Sequence, residues 1–111
     1  MFAVTSGYAE YTELAGRNND IAGMTTLAAY YNRCENRFEA AAILRKAVKK
    51  AKKESPGQVG SLEFRLAETL LRSDRPEQGA KILDRLARNS DDPDTRSQAQ
   101  AALHRYRAGL G

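Results

Sequence analysis

Covalent chemistry leaves its mark in a few side chain types, and this chain has few of them. It contains one cysteine, Cys34, and one histidine, His104. A cysteine nucleophile needs a base within hydrogen-bond reach, yet Cys34 falls in a predicted turn between two helices while His104 belongs to the last helix. Cys34 therefore reads as an incidental or partly buried thiol, and His104 as a residue that packs or caps near a helix C-terminus. One cysteine forms no internal disulfide, and one histidine leaves no metal-ligand cluster of recognisable spacing. Asp91, Asp92 and Asp94 stand where carboxylates favour a helix N-terminus. No glycine-rich phosphate loop occurs. These residues predict no enzyme, no cofactor and no metal.

Binding chemistry is better represented. Arg45, Lys46, Lys49, Lys50, Lys52 and Lys53 form a basic arc on one predicted helix, opposite its apolar side. One reading is a phosphate-contacting patch whose affinity for nucleic acid would fall with salt. The other is a solvated outer face, and it is preferred because no aromatic residue interleaves with the lysines to stack on bases. The net charge of +4 and the pI near 9.4 suit an acidic partner but also ordinary solubility.

The elements that position these residues follow from periodicity. Apolar residues recur at three- and four-residue steps, as in Leu27, Ala28, Tyr31 and in Leu66, Ala67, Leu70, and no alternating strand pattern competes. Pro56, Pro76 and Pro93 each follow a short polar residue by one or two positions (Ser55, Asp74 and Asp92) and read as helix starts. The pattern predicts six helices, over 7–15, 21–33, 37–53, 59–72, 76–88 and 94–107. Asp20 is the expected cap of the second, Gly16 ends the first, and Gly109 lies where the last stops. The stretch from Glu54 to Gly60, with Pro56 and Gly57, is the loosest joint. At 111 residues, 41% apolar and 29% charged, the chain fits one globular domain (1–111) with a modest core. Its apolar runs are too short to cross a bilayer, and residues 1–7 lack a basic start followed by a long apolar segment, so a cytoplasmic protein is expected.

The informative feature is an internal repeat. Shifting the chain by thirty-nine residues places Leu27 on Leu66, Ala28 on Ala67, Arg33 on Arg72, Ala41 on Ala80, Ile43 on Ile82 and Leu44 on Leu83. The same register pairs Tyr31 with Leu70, Glu35 with Asp74, Ala40 with Gly79, Lys46 with Arg85 and Lys49 with Arg88. A period of this length built from two helices points to hairpins that bury their apolar faces by stacking. The pattern of Leu-Ala, then Tyr31 or Leu70, an acidic turn residue, a small residue (Ala40 or Gly79) and apolar residues (Leu44 and Ala47, or Leu83 and Leu86) resembles the tetratricopeptide repeat. The likeness covers residues 21–88. It departs in two ways: Met24 and Glu63 stand where a large aromatic is expected, and the period exceeds the usual length of about 34 residues.

The resemblance implies an all-α, right-handed solenoid of about six antiparallel helices. Repeats would span 21–53 and 59–88, with capping helices at 7–15 and 94–107, the first carrying Tyr8, Tyr11 and Leu14 and the last Ala99, Ala102, Leu103 and Tyr106. Each hairpin is expected to bury Leu27 with Leu44, or Leu66 with Leu83. It also implies that the first helices of the two hairpins line a concave groove for a peptide or helix of another protein. The groove residues are then Thr25, Ala29, Asn32, Arg33, Phe64, Arg65, Glu68, Leu71 and Arg72. Phe64 and Leu71 would form an apolar strip flanked by guanidinium groups, although Phe64 could equally replace the missing core aromatic. The lysine and asparagine clamp of the family's chaperone-tail binders is absent. Two alternatives accompany this scaffold reading: a structural subunit or self-associating module using a terminal helix, and nucleic-acid binding through residues 45–53.

Overall fold

Caps and prolines fix where the helices begin. In the computed structural model, which describes residues 20–109, Asp20 accepts the Gly23 backbone N–H at 2.6 Å and starts helix α1, Ile21–Arg33. Asn36 accepts from the Glu39 N–H at 3.3 Å ahead of α2, Arg37–Glu54. A 3₁₀ turn, Pro56–Gln58, leads into α3, Val59–Leu71. Pro76 and Pro93 occupy the first positions of α4, Pro76–Asn89, and α5, Pro93–Arg107. Pro56 thus opens a 3₁₀ turn and not an α-helix, and Gly60 lies inside the first turn of α3, not in a loop. The helix predicted over 7–15 and its stop at Gly16 lie outside the described residues. Gly109, with φ of 77°, donates its N–H to the Tyr106 carbonyl and ends α5.

Asp92 caps α5 with both carboxylate oxygens. It accepts from the Thr95 hydroxyl at 2.7 Å and from the Thr95 and Asp94 backbone N–H groups at 3.3 and 3.4 Å. The Thr95 hydroxyl above all, then these N–H groups and the nearby charge of Arg96, hold the carboxyl below the ordinary carboxylate range.

The five described helices pack sequentially and antiparallel, each against the next, with α3 also touching α5. The smallest principal extent of the fold is 18 Å. No described helix is long and apolar enough to cross a membrane.

The two hairpin turns differ although their sequences align. After α1 the Glu35 and Asn36 N–H groups donate to Asn32 O and Tyr31 O at 3.1 and 2.9 Å. This is the paired closure that suits glycine, yet Glu35 supplies it with φ of 59°. After α3 the chain tightens into i to i−3 bonds, Arg72 N–H to Thr69 O and Ser73 N–H to Leu70 O. The Ser73 hydroxyl then donates to Leu70 O and accepts from the Arg75 N–H.

Within each hairpin a small residue sits at the crossing. Ala40 is fully buried beside Leu27 and Tyr31. Gly79 lies so close to α3 that a Cβ there would meet the Ala67 carbonyl oxygen at 2.5 Å. With small residues at the crossings, the leucines reach one helix further along the chain. Leu44 clusters with Ala28, Ala41, Leu66 and Leu70, and Leu83 with Ala67, Leu86, Ala99 and Leu103. Leu27 clusters with Tyr31 and Ala40 rather than with the expected Leu44, and Leu66 with Leu44 rather than with Leu83, so Leu44 and Leu83 pack both inside their own hairpin, at Ala28 and Ala67, and on the next helix along.

Glu63, at the place matched by Met24, is buried and paired with Arg85, whose own side chain is half exposed. A carboxylate thus stands where an aromatic ring was expected, and α4 supplies its counterion.

Candidate partner-binding groove

The groove starts from helix periodicity. Residues three, four and seven apart share one helix face, so α1 presents Thr25, Ala29 and Asn32 together and α3 presents Arg65, Glu68 and Arg72. These six surround one concavity of about 220 Å³, with Ala28, Leu44 and Thr69 completing its wall. Three other expected residues do not line it. Arg33 is exposed at the end of α1. Phe64 and Leu71 are half-buried and pack against the cluster of Ala67, Leu83, Leu86, Ala99 and Leu103. The strip they form lies under α5, because α5 brings Ala99 and Leu103 over that side of α3.

One end of the concavity is locked. Arg37 Nη1 donates to the Asn32 backbone carbonyl at 2.9 Å and to its Oδ1 at 2.8 Å, while Asn32 Nδ2 donates to Thr69 Oγ1 at 3.1 Å. Guanidinium only donates, so the amide oxygen faces Arg37 and the amide nitrogen faces Thr69. Asn32 therefore fastens the first hairpin to the second. The sequence carried little signal for Arg37 or Thr69, since the bond joins residues thirty-seven apart through a side chain rather than a periodic face.

The rest of the α3 rim is free. Arg65, Glu68 and Arg72 are exposed, and none has an ion-pair or hydrogen-bond partner among the described residues. Two guanidinium groups and one carboxylate thus flank a floor of Ala28, Ala29 and Leu44. That combination would suit an apolar side chain with a carboxylate beside it. Thr25 spends its hydroxyl on the Ile21 carbonyl at 2.8 Å.

The basic arc lies elsewhere. Met24, Lys46, Lys49, Lys50, Lys53 and Glu54 surround a separate concavity of about 300 Å³. Lys50 pairs with Glu54 at 2.8 Å and Arg45 donates to Gln78 Oε1 at 3.2 Å. Lys46, Lys49, Lys52 and Lys53 are exposed and without partners among the described residues.

Cys34 is exposed in the turn after α1, and His104 is exposed beside Asp84, Arg88 and Arg107. Among the described residues no three His, Cys, Asp or Glu side chains come together in a way that could hold a metal ion. No protein-family model, curated protein or solved structure matches this chain.

Proposed function

We propose that this domain is a non-enzymatic interaction module of the tetratricopeptide type, whose two helical hairpins grip a peptide or helix of another protein between α1 and α3. The observation that carries the reading is the meeting of Thr25, Ala29, Asn32, Arg65, Glu68 and Arg72 around one concavity. Six of the nine residues that the tetratricopeptide resemblance implies fall on the same hollow, and its cations are unspent. The small residues at the hairpin crossings, Ala40 and Gly79, support the repeat reading for the steric reason already given.

Anchoring shifts from Phe64 to the floor of Ala28, Ala29 and Leu44, while Arg65 and Arg72 set the polarity of the guest. The test is affinity capture with mass spectrometry, comparing the wild type with Ala29→Trp, which fills the hollow from an exposed position, and with the Arg65→Glu, Arg72→Glu pair. All three proteins should melt alike. The expected result is a protein retained by the wild type and lost from both variants; retention of the same proteins by both variants removes the groove from the account.

A further inference from the structure

The repeat contains its own control for the basic arc. In the register that shifts the chain by thirty-nine residues, Met24, Arg45, Lys46, Lys49, Lys50, Lys52 and Lys53 match Glu63, Asp84, Arg85, Arg88, Asn89, Asp91 and Asp92. In the second hairpin the two shared cations are neutralised: Arg85 by Glu63, and Arg88 by Asp84 at 3.2 Å. In the first hairpin both acids are gone, replaced by Met24 and Arg45, and the matched Lys46 and Lys49 have no partner among the described residues. Lys52 and Lys53 lie in the last turn of α2, which runs past the place where α4 ends at Asn89. Matched helical positions thus hold four cations and no acid in the first unit, where only Lys50 finds an acid, Glu54 in the next turn, and two cations against two acids in the second. The fold does not need this concentration of charge, because its second copy does without it.

Concentration carries a cost, since like charges three and four residues apart on a helix repel. Lys46 with Lys49 and Lys50, and Lys53 with Lys49 and Lys50, all stand at those spacings. A negatively charged occupant relieves that repulsion. Four of the lysines and Glu54 rim a concavity that Met24 also lines. Lysine stems and a thioether make an apolar floor beneath ammonium groups, and none of the lining residues is aromatic. Lys46 to Lys53 covers two turns, roughly 10 Å of helix, which matches carboxylates spaced four and seven residues apart on a facing helix.

We infer that the hollow of Met24, Lys46, Lys49, Lys50 and Lys53 docks an acidic helical segment of another protein, with carboxylates on the ammonium groups and one small apolar side chain on Met24. This surface shares no residue with the groove between α1 and α3, so the two readings stand or fall separately.

The probe is a fluorescein-labelled helical peptide with glutamates at four-residue spacing and one leucine stripe, followed by anisotropy at low salt on the full chain. It should bind, weaken with added salt, and weaken by about tenfold or more with Lys46→Gln, Lys49→Gln and Lys53→Gln combined. The Arg65→Ala, Arg72→Ala protein should bind as the wild type does, and a peptide with glutamine for glutamate should not bind. Circular dichroism keeps the comparison to folded protein, and all three lysines are exposed. Absence of binding at low salt overturns the inference, as does an unchanged affinity in the triple variant. Lysine-dependent binding of single-stranded DNA or phosphatidylserine vesicles as tight as that of the peptide also overturns it, and assigns the hollow to phosphates.

Discussion

Replacing Gly79 by alanine sets two effects against each other, and the geometry decides between them. Gly79 is in the first half of α4, and alanine is the better helix former by about 1 kcal/mol, so helix propensity alone predicts a more stable protein. The added Cβ, however, would stand 2.5 Å from the Ala67 carbonyl oxygen, 2.9 Å from the Leu71 backbone nitrogen and 3.2 Å from the Leu70 Cβ. The first two are backbone atoms of α3 and cannot swing aside. Restoring ordinary contact moves α4 away from α3 by about 1 Å, a gap that forfeits a quarter to a half of each dispersion contact across the crossing. Overpacking of this kind costs about 3 kcal/mol. After subtracting the propensity gain, Gly79→Ala should destabilise by about 2 kcal/mol, or lower the melting temperature by roughly 10 °C in a domain of this size. Gly57→Ala is the companion, because a Cβ there meets nothing within 4 Å, and it should be neutral or stabilise by up to about 1 kcal/mol. Urea unfolding with matched slopes measures both. A Gly79→Ala protein as stable as the wild type would refute the close crossing and the packing drawn from it.

Three further perturbations test other parts of the structure. Glu35→Gly removes a side chain from left-handed backbone, and the relief should outweigh the added freedom of the unfolded chain, stabilising by about 0.5–1 kcal/mol in urea; a loss of stability counts against the turn described. Arg85→Ala strands the buried Glu63 carboxylate, and because Arg85 is half exposed the penalty is set at about 1–2 kcal/mol. Glu63→Met, which copies the residue at the matched place of the first hairpin, should cost less than Arg85→Ala, and the reverse order argues against the pair. Asp92 has its carboxyl held below the ordinary range in the folded state, so its stabilising effect is complete above the unfolded carboxylate value of about 4 and is lost as pH falls through the lower folded value. The stability difference between the wild type and Asp92→Asn should therefore shrink as acid is added below that point; a difference that grows on acidification contradicts the cap.

How much of this was legible in the sequence varies with the kind of interaction. Asp20, Pro76, Pro93 and Gly109 act locally, through bonds spanning a few residues, so the five described helices lie close to their predicted bounds. Repetition then placed Thr25, Ala29 and Asn32 on one face and Arg65, Glu68 and Arg72 on another, because a helix carries its phase reliably over two turns. Phase does not say what covers a face. Phe64 and Leu71 share a stripe, but whether that stripe meets solvent depends on where α5 comes to rest, and that is set by Ala99 and Leu103 about thirty residues later. The reach of Leu44 and Leu83 onto the next helix was hidden for a related reason: it follows from how closely Ala40 and Gly79 let the backbones approach. Glu63 was recognised as a departure from the aromatic pattern, yet its burial required Arg85 from another helix. Arg37 gave no periodic signal, since it works from the start of α2 back onto the end of α1.

The helices keep company chiefly with those beside them along the chain, and this governs how the domain comes together. Closing a short turn costs little entropy compared with joining distant segments, so each pair can zip up before the rest has arrived. A nascent chain leaving the ribosome would complete α1 with α2 while α4 and α5 were still being made. A fold dominated by such local contacts is expected to form quickly.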